Sequence, residues 1–343
     1  MRLADYIINA YQWVLDWWIE MGWDPFWLSV IKYLLEVTMV VAGILLVVLF
    51  LNWWERKTAG HFQSRLGPMR TGGWHGWSQA VADAIKILTK EDIVPAKADR
   101  WVFNLAPYLI FLPPMLTLLV IPFGDGLLVK DLNIGILYIF AIGEIGVVSI
   151  LMAGWASNNK YSLLGALRTV SQMVSYELPL VLSIVGVIML AGTMSMGGIV
   201  SAQSNIWFVV LQPVGFVIFL ISATAEVNRV PFDLPEAEQE LVAGYNVEYS
   251  GMKFAMFFLA EFASAFVISA VAVTLFLGGW QGPLLPSWVW FPIKTFAVVF
   301  ILMWFRWTFP RFRVDQVMDL GWKVLLPLSF INILFTGLAM IYI

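Results

Sequence analysis

Six carboxylates and one arginine fall within the twenty-three residues from Glu226 to Glu248 of an otherwise strongly apolar chain. The stretch runs Ala225-Glu226-Val227-Asn228-Arg229-Val230-Pro231-Phe232-Asp233-Leu234-Pro235-Glu236-Ala237-Glu238-Gln239-Glu240 and continues to Glu248. It follows directly on an apolar run, so its first acids lie near headgroup level, where ionisable groups are costly and mark function. Carboxylates this closely spaced oppose one another's ionisation, and the loop is expected to share protons. A membrane-side cluster of shareable protons suits proton transfer; a solvated acidic loop is the plainer alternative. Asp233-Leu-Pro-Glu236 carries the pattern of a helix start, with Asp at the N-cap, Pro early and Glu at N3. The helix that follows puts Glu236 and Glu240 one turn apart on one face, a repulsion that Arg229 or a shared proton relieves.

Further acids stand inside apolar runs. Glu36 lies near the outer end of the first, Glu144 in the middle of the third, Glu177 beside Tyr176 in the fourth, and Glu261 early in the sixth. One such carboxylate could serve packing alone. Four of them beside an acidic loop point to a charged path that opens inward and runs sideways or partway through the bundle. Pro179, two residues after Glu177, removes a backbone donor and makes room for water or a polar contact. Basic residues form a second constellation. Glu55-Arg56-Lys57 leads into Gln63-Ser64-Arg65-Leu66-Gly67-Pro68, where Gly-Pro predicts a turn holding Arg65 near the membrane surface. Arginines there either snorkel to headgroups or line the mouth of a site for an amphipathic ligand with a polar head.

The elements that hold these residues follow from composition. Of 343 residues, 60% are hydrophobic and 13% charged, about half the charge of a soluble domain, ~25%. The absence of cysteine excludes thiolate-bound iron–sulfur clusters, disulfides and thiol catalysis. His61 and His75 are too few to ligate paired haems, so any redox cofactor belongs to another polypeptide. The first residues lack the order of a cleavable signal. Runs long enough to cross a bilayer fall at 28–54, 103–122, 134–155, 163–192, 207–226, 251–279, 288–308 and 321–342. The expected fold is therefore an all-α polytopic membrane protein with eight transmembrane helices. Residues 1–27 form an N-terminal interfacial segment, and 28–343 form one membrane domain with cytoplasmic loops 55–102 and 227–250.

Sixteen of the twenty Lys and Arg collect on one side of these spans; only Arg2, Lys32, Lys130 and Lys294 fall on the other. That bias places loop 55–102 in the cytoplasm and both termini outside, in a periplasm-like space. Two amphipathic segments complete the outline. Residues 1–20 group Asp5, Asn9, Gln12, Asp16 and Glu20 on one face beside Tyr6, Trp13, Trp17 and Trp18, an interfacial helix. Residues 74–90 line up Trp77, Val81, Ala84, Ile85 and Leu88, a helix lying flat on the cytoplasmic side or packed under the bundle.

Several strings together resemble one family. They are Glu55-Arg-Lys with Gln63-x-Arg65-x-Gly67-Pro68, Ala82-Asp83-Ala84-x-Lys86, Gly154-Trp-Ala-Ser-Asn-Asn-Lys-Tyr161 and Gly165-Ala-Leu-Arg168 with Ser175-Tyr-Glu177. Ala225-Glu-x-Asn-Arg-x-Pro-Phe-Asp-Leu, Glu236-x-Glu-x-Glu240, Tyr245-Asn-Val-Glu-Tyr249, Phe258-x-x-Ala-Glu261 and Pro310-Arg-Phe-Arg-x-Asp-Gln316 follow in order. From about residue 55 to 342 the chain resembles the family of the H subunit (also called subunit 1) of respiratory complex I, the proton-pumping NADH:quinone oxidoreductase. The resemblance implies a membrane heel without a redox centre. NADH, FMN and iron–sulfur clusters would sit on partner subunits, and quinone would be the substrate of the complex. It implies that Arg56, Arg65, Asp83, Glu226, Arg229 and Phe232 line or flank a quinone cavity. It further implies that Tyr176, Glu177, Glu226, Glu236, Glu238, Glu240 and Glu261 lie on a proton path leading toward antiporter-like subunits, with spans two to six shaped like a half-antiporter. Glu144, from its place inside an apolar run, is expected on the same path, although the family carries small hydroxyl residues in this stretch. Met69 departs from the family's Asn after Gly-Pro. A bacterial inner membrane is the implied location.

Three other classes remain open at this level: a subunit of a related energy-converting hydrogenase, a standalone proton or cation antiporter, and a membrane anchor for a soluble partner. An antiporter calls for inverted repeats with matched broken helices, which the two halves of this chain do not display. An anchor has no need of Glu144, Glu177 and Glu261 in lipid.

Overall fold

The computed structural model describes residues 12–14, 16–17, 21, 25–234 and 242–342. In chain order the helices are α1 (Pro25–Phe62), α2 (Gln79–Thr89), α3 (Arg100–Thr117), α4 (Gly135–Ala156), α5 (Lys160–Ala191), α6 (Met196–Ala202) and α7 (Phe208–Leu211). They continue as α8 (Pro213–Glu226), α9 (Gly251–Phe276), α10 (Ser287–Thr308), α11 (Val314–Asp319) and α12 (Leu326–Tyr342). No strand occurs among the described residues. Among the described residues, six runs are long and apolar enough to cross a membrane: Phe26–Phe62, Gly135–Ala156, Lys160–Ala191, Gly251–Phe276, Ser287–Thr308 and Val314–Ile341. The protein is an all-α polytopic membrane protein.

Two of the eight expected spans fall short of those six for local reasons. In α3, Arg100 and Asn104 dilute the apolar run, and Pro107, Pro113 and Pro114 sit inside the helix. The run expected over 207–226 is broken in two. Gln212, at φ −130 and ψ 52, leaves the helical region, as a residue before proline is pushed to do. Pro213 then occupies the first turn of α8, where its missing N–H costs nothing. At the other end of the chain, α11 and α12 are joined by a π-helical stretch, Leu320–Leu325.

Several elements differ in extent from what the sequence pattern predicts. The first span runs on to Phe62, so Glu55, Arg56 and Lys57 ride on a helix and not in a loop. The flat helix starts at Gln79, after a 3-10 turn at Trp74–Gly76. Its apolar stripe, Trp77, Val81, Ile85 and Leu88, points outward, while Ala80 is buried and Asp83 turns in toward α1. The α5 helix passes through Pro179 without ending. Most of the N-terminal amphipathic segment lies outside the described residues; Trp13 and Trp17, which are described, are exposed.

The core centres on α9. Its alanines at 255, 260, 263, 265, 270 and 272 are buried, and small side chains let neighbouring backbones approach closely where no hydrophobic force drives association. On the inner side, the 154–161 string is a clasp. Asn159 caps α5 by accepting from Tyr161 N at 2.9 Å and donates to Glu248 at 2.6 Å. Asn158 donates to the Lys97 carbonyl at 3.2 Å.

Candidate functional site

Arg229 reaches the interior because α8 ends just before it. Asn228 takes a positive φ of 55°, and Arg229 N donates back to the Thr224 carbonyl at 3.2 Å. Gln172 of α5 holds the corner by donating to the Ala225 carbonyl at 2.7 Å and to Asn228 Oδ1 at 3.2 Å. The guanidinium then sits between two acids from different helices. Nη1 lies 2.8 Å from Glu55 Oε2 of α1, and Nε lies 3.0 Å from Glu261 Oε1 of α9. It also covers the Phe262 ring, 4.3 Å from the centroid. The other oxygen of Glu55 takes Nη1 of Arg306 from α10. Spacing along the chain offers Arg229 to the 236–240 acids, which lie outside the described residues; among the described residues it pairs with Glu55 and Glu261. Charges buried this deeply persist only when so paired.

On one side of this cluster lies a cavity of about 140 Å³ whose wall includes Glu144 of α4, Glu177 of α5, Glu226 at the end of α8, and Glu261. Glu226 Oε2 is buried and meets no hydrogen-bond partner among the described residues. The cavity is mostly apolar, but it has room for several waters, and its four carboxylates supply the polar partners that would hold them beside this oxygen. Gly143 and Gly146 of α4 contribute no side chain and keep the space open.

On the other side are two larger spaces. A chamber of about 740 Å³ lies between α1, α2, α9 and the turn before α9, with Val48, Leu49, Phe254 and Leu259 among its apolar walls. Arg56 and Asp83, 2.6 Å apart, stand at its polar end with Lys86 and Lys90. The Tyr249 hydroxyl in its wall donates to the Phe103 carbonyl at 3.2 Å, and burial pushes its pKa up, so it stays a neutral donor. An adjoining cavity of about 420 Å³ is lined by Glu55, Arg56, Arg65, Gln79, Arg306 and Trp307, among others. The turn carrying Arg65 forms through positive φ at Ser64 and Gly67 and a bond from Arg65 N to the Gly60 carbonyl at 2.7 Å. Met69 does not leave it slack: Lys57 Nζ donates to the Leu66 carbonyl at 3.2 Å and lies 3.0 Å from Met69 Sδ.

The structure thus brings Arg56, Arg65 and Asp83 to one pair of adjoining cavities, and Glu144, Glu177, Glu226 and Glu261 to another. Glu226, which the resemblance assigns to both, lines the carboxylate cavity. Phe232 and Tyr176 lie elsewhere, packed together at 5.2 Å with Val317 and Leu325 in a small apolar cluster. Tyr176 is fully buried and donates to the Val317 carbonyl at 2.8 Å. Glu236, Glu238 and Glu240, with the helix start at Asp233, fall in a stretch outside the described residues apart from Asp233, which binds Arg311 at 2.8 Å. Sequence reasoning passes over Glu55 and Arg306 as site residues. Each sits at the inner end of an apolar run, where snorkelling explains a charge equally well. No spacing along the chain joins them.

The fold and its buried charges define the class: a polytopic helical membrane protein that holds paired and clustered ionisable groups inside the bundle. Comparison with known proteins supplies the family. A family model described as NADH dehydrogenase matches residues 35–337. The chain is 54% identical over 315 residues to the H subunit of NADH-quinone oxidoreductase of Dehalococcoides mccartyi (strain CBDB1), covering 92% of this chain and 88% of that one. It is 49% identical to H subunit 2 of the same enzyme of Rhizobium meliloti over 315 residues, covering 89% and 96%. It is 47% identical to H subunit 1 of Geobacter sulfurreducens over 344 aligned positions, covering 93% and 99%. The chain belongs to the NADH dehydrogenase family.

Proposed function

We propose that this chain is the membrane subunit of a proton-translocating NADH:quinone oxidoreductase that admits quinone at its inner face and begins the proton path. The chamber is apolar enough for an isoprenoid tail, and Arg56, Asp83 and Arg65 offer polar groups to a ring. Reduction of a quinone consumes electrons and protons at its carbonyl oxygens. The electrons come from partner subunits holding NADH, FMN and iron–sulfur clusters, since this chain has no cysteine to bind a cluster. Those partners comprise the hydrophilic-arm subunits at the quinone site and the antiporter-like membrane subunits beyond the carboxylates. The shortened helices α3 and α8 complete eight spans, in a bacterial inner membrane with both termini on the periplasmic side.

The observation that carries the coupling half of this reading is Arg229. Its guanidinium is shared by Glu55, which lines the inner-face cavity, and Glu261, which lines the carboxylate cavity. A charge change near the quinone alters Glu55 and Arg306, shifts Arg229 between its two acids, and so alters the charge facing Glu144, Glu177 and Glu226. The test is Arg65→Ala in the purified complex. Quinone reduction falls while a water-soluble acceptor is still reduced by the peripheral partners. Equal loss with both acceptors would signal failed assembly, and no loss with either would defeat the reading.

A further inference from the structure

The membrane chamber and the inner-face cavity have three lining residues in common: Asn52, Arg56 and Phe258. These three form the neck between the two spaces. Asn52 and Arg56 stand one turn apart on α1 and share a face; Phe258 faces them from α9. The charge of Arg56 is already engaged by Asp83 at 2.6 Å. Asn52 is different. It is only 9% exposed, it sits in a membrane-spanning helix, and among the described residues its side-chain amide makes no hydrogen bond. Unlike the carboxylate oxygen of Glu226, its amide is not sealed off but opens into the two cavities it lines. It is retained where a ligand or water completes it. Asn246, on the turn before α9, adds a second such group to the chamber, with a buried Oδ1 that lacks a partner among the described residues.

The chemistry of an amide suits one class of traveller. A quinone ring presents carbonyl oxygens, which only accept hydrogen bonds. The quinol presents hydroxyls, which still accept but also carry protons that need an acceptor. Arginine and lysine only donate, and a carboxylate only accepts. An asparagine does both, so a single side chain can hold the ring in either oxidation state. Its aromatic neighbour Phe258 offers a face for the ring to stack against.

We propose that Asn52 is a positioning residue at this neck, hydrogen-bonding the polar head of a quinone or quinol as it passes between the two cavities. This rests on reading those cavities as the quinone path. The amide sets affinity for the head and does not take part in electron transfer.

The test uses the complex in proteoliposomes, with a decyl-tailed benzoquinone as acceptor and its quinol as product inhibitor. Reduction of hexaammineruthenium(III) by the peripheral partners reports that each variant has assembled. Asn52→Leu, close in size but without the amide, should raise KM for the quinone roughly three- to tenfold, the worth of one net hydrogen bond. The quinol inhibition constant should rise by a similar factor, and kcat should fall less than KM rises. Asn52→Ser restores a group that donates and accepts, and should recover part of both affinities. If Asn52→Leu does not assemble, Asn52→Ala against Asn52→Ser makes the same comparison. Unchanged KM and unchanged quinol inhibition in the variant lacking the amide overturn the assignment. So does a rise in KM that Ser fails to reduce. Leu45→Trp, which fills the chamber away from the neck, separates the two levels of the argument. Full quinone reduction in that variant removes the path itself. A block there with no response at Asn52 removes only the neck.

Discussion

Replacing Arg229 by Met keeps the apolar stem and deletes the guanidinium, leaving Glu55 and Glu261 facing each other without the charge between them. Removing one partner of a buried pair costs about 3–5 kcal/mol. The side chains of Arg229 and Glu55 are 6% and 9% exposed, so solvent does little to screen that pair. Two features pull the estimate to the lower end: Glu261 is 22% exposed, and Glu55 keeps Arg306. A loss of about 3 kcal/mol makes local opening roughly a hundredfold more frequent. Native-state hydrogen exchange on the intact complex reads this directly as faster exchange of the α9 amides around Glu261. A companion variant carrying Arg229→Met with Glu261→Gln removes the carboxylate that loses its salt bridge, while Glu55 keeps Arg306, and should recover more than half of the protection. Quinone reduction stays low in both variants, because neither retains the shared arginine. Parental exchange rates in Arg229→Met, or no recovery in the double variant, would refute the claim that this arginine holds two buried carboxylates.

Three further outcomes are expected. Glu144→Gln and Glu177→Gln, alone or together, should leave the complex assembled and lower quinone reduction and proton pumping in step, read by acceptor reduction and a pH-sensitive dye in the same proteoliposomes; full pumping with both replaced removes the cavity from the path. Cysteines introduced at Ser64 and Gln239 should react with a reagent on the cytoplasmic side, and those at Gly126 and Ser204 with one on the periplasmic side, Ser204 being chosen because the neighbouring Gln203 is buried; reversed reactivity at two sites undoes the eight-span topology. Tyr176→Phe deletes the hydroxyl that donates to the Val317 carbonyl and should lower stability by about 1 kcal/mol, measured by thermal denaturation of the detergent-solubilised complex, whereas no change would show that the bond contributes nothing net.

How much of the site was legible depends on how each residue declares itself. Glu144, Glu177 and Glu261 stand out because a carboxylate in an apolar run is costly wherever the run folds. Their convergence with Glu226 on one cavity is a tertiary fact, since they come from α4, α5, α9 and the end of α8. Arg65 was legible through its Gly-Pro turn, which is a local signal. Glu55 and Arg306 were not, because a charge at a helix end reads as snorkelling until its partner is seen. Phe232 stands in a distinctive string, yet its ring packs on Tyr176 and Phe312, away from the cavities.

Composition and hydrophobic length determined by themselves that this chain is a helical membrane protein, because the length of an apolar run needed to cross a bilayer is a local property of sequence. They did not mark where helices break: the span expected over 207–226 is interrupted at Gln212-Pro213, while the helix over Pro179 continues. Which charges meet was decided only by the tertiary structure. Arg229 pairs with Glu55 across 174 positions, and Arg306 reaches the same carboxylate across 251. The energy of such a pair depends on the partners' separation and burial, and neither quantity is written in the spacing of residues along the chain.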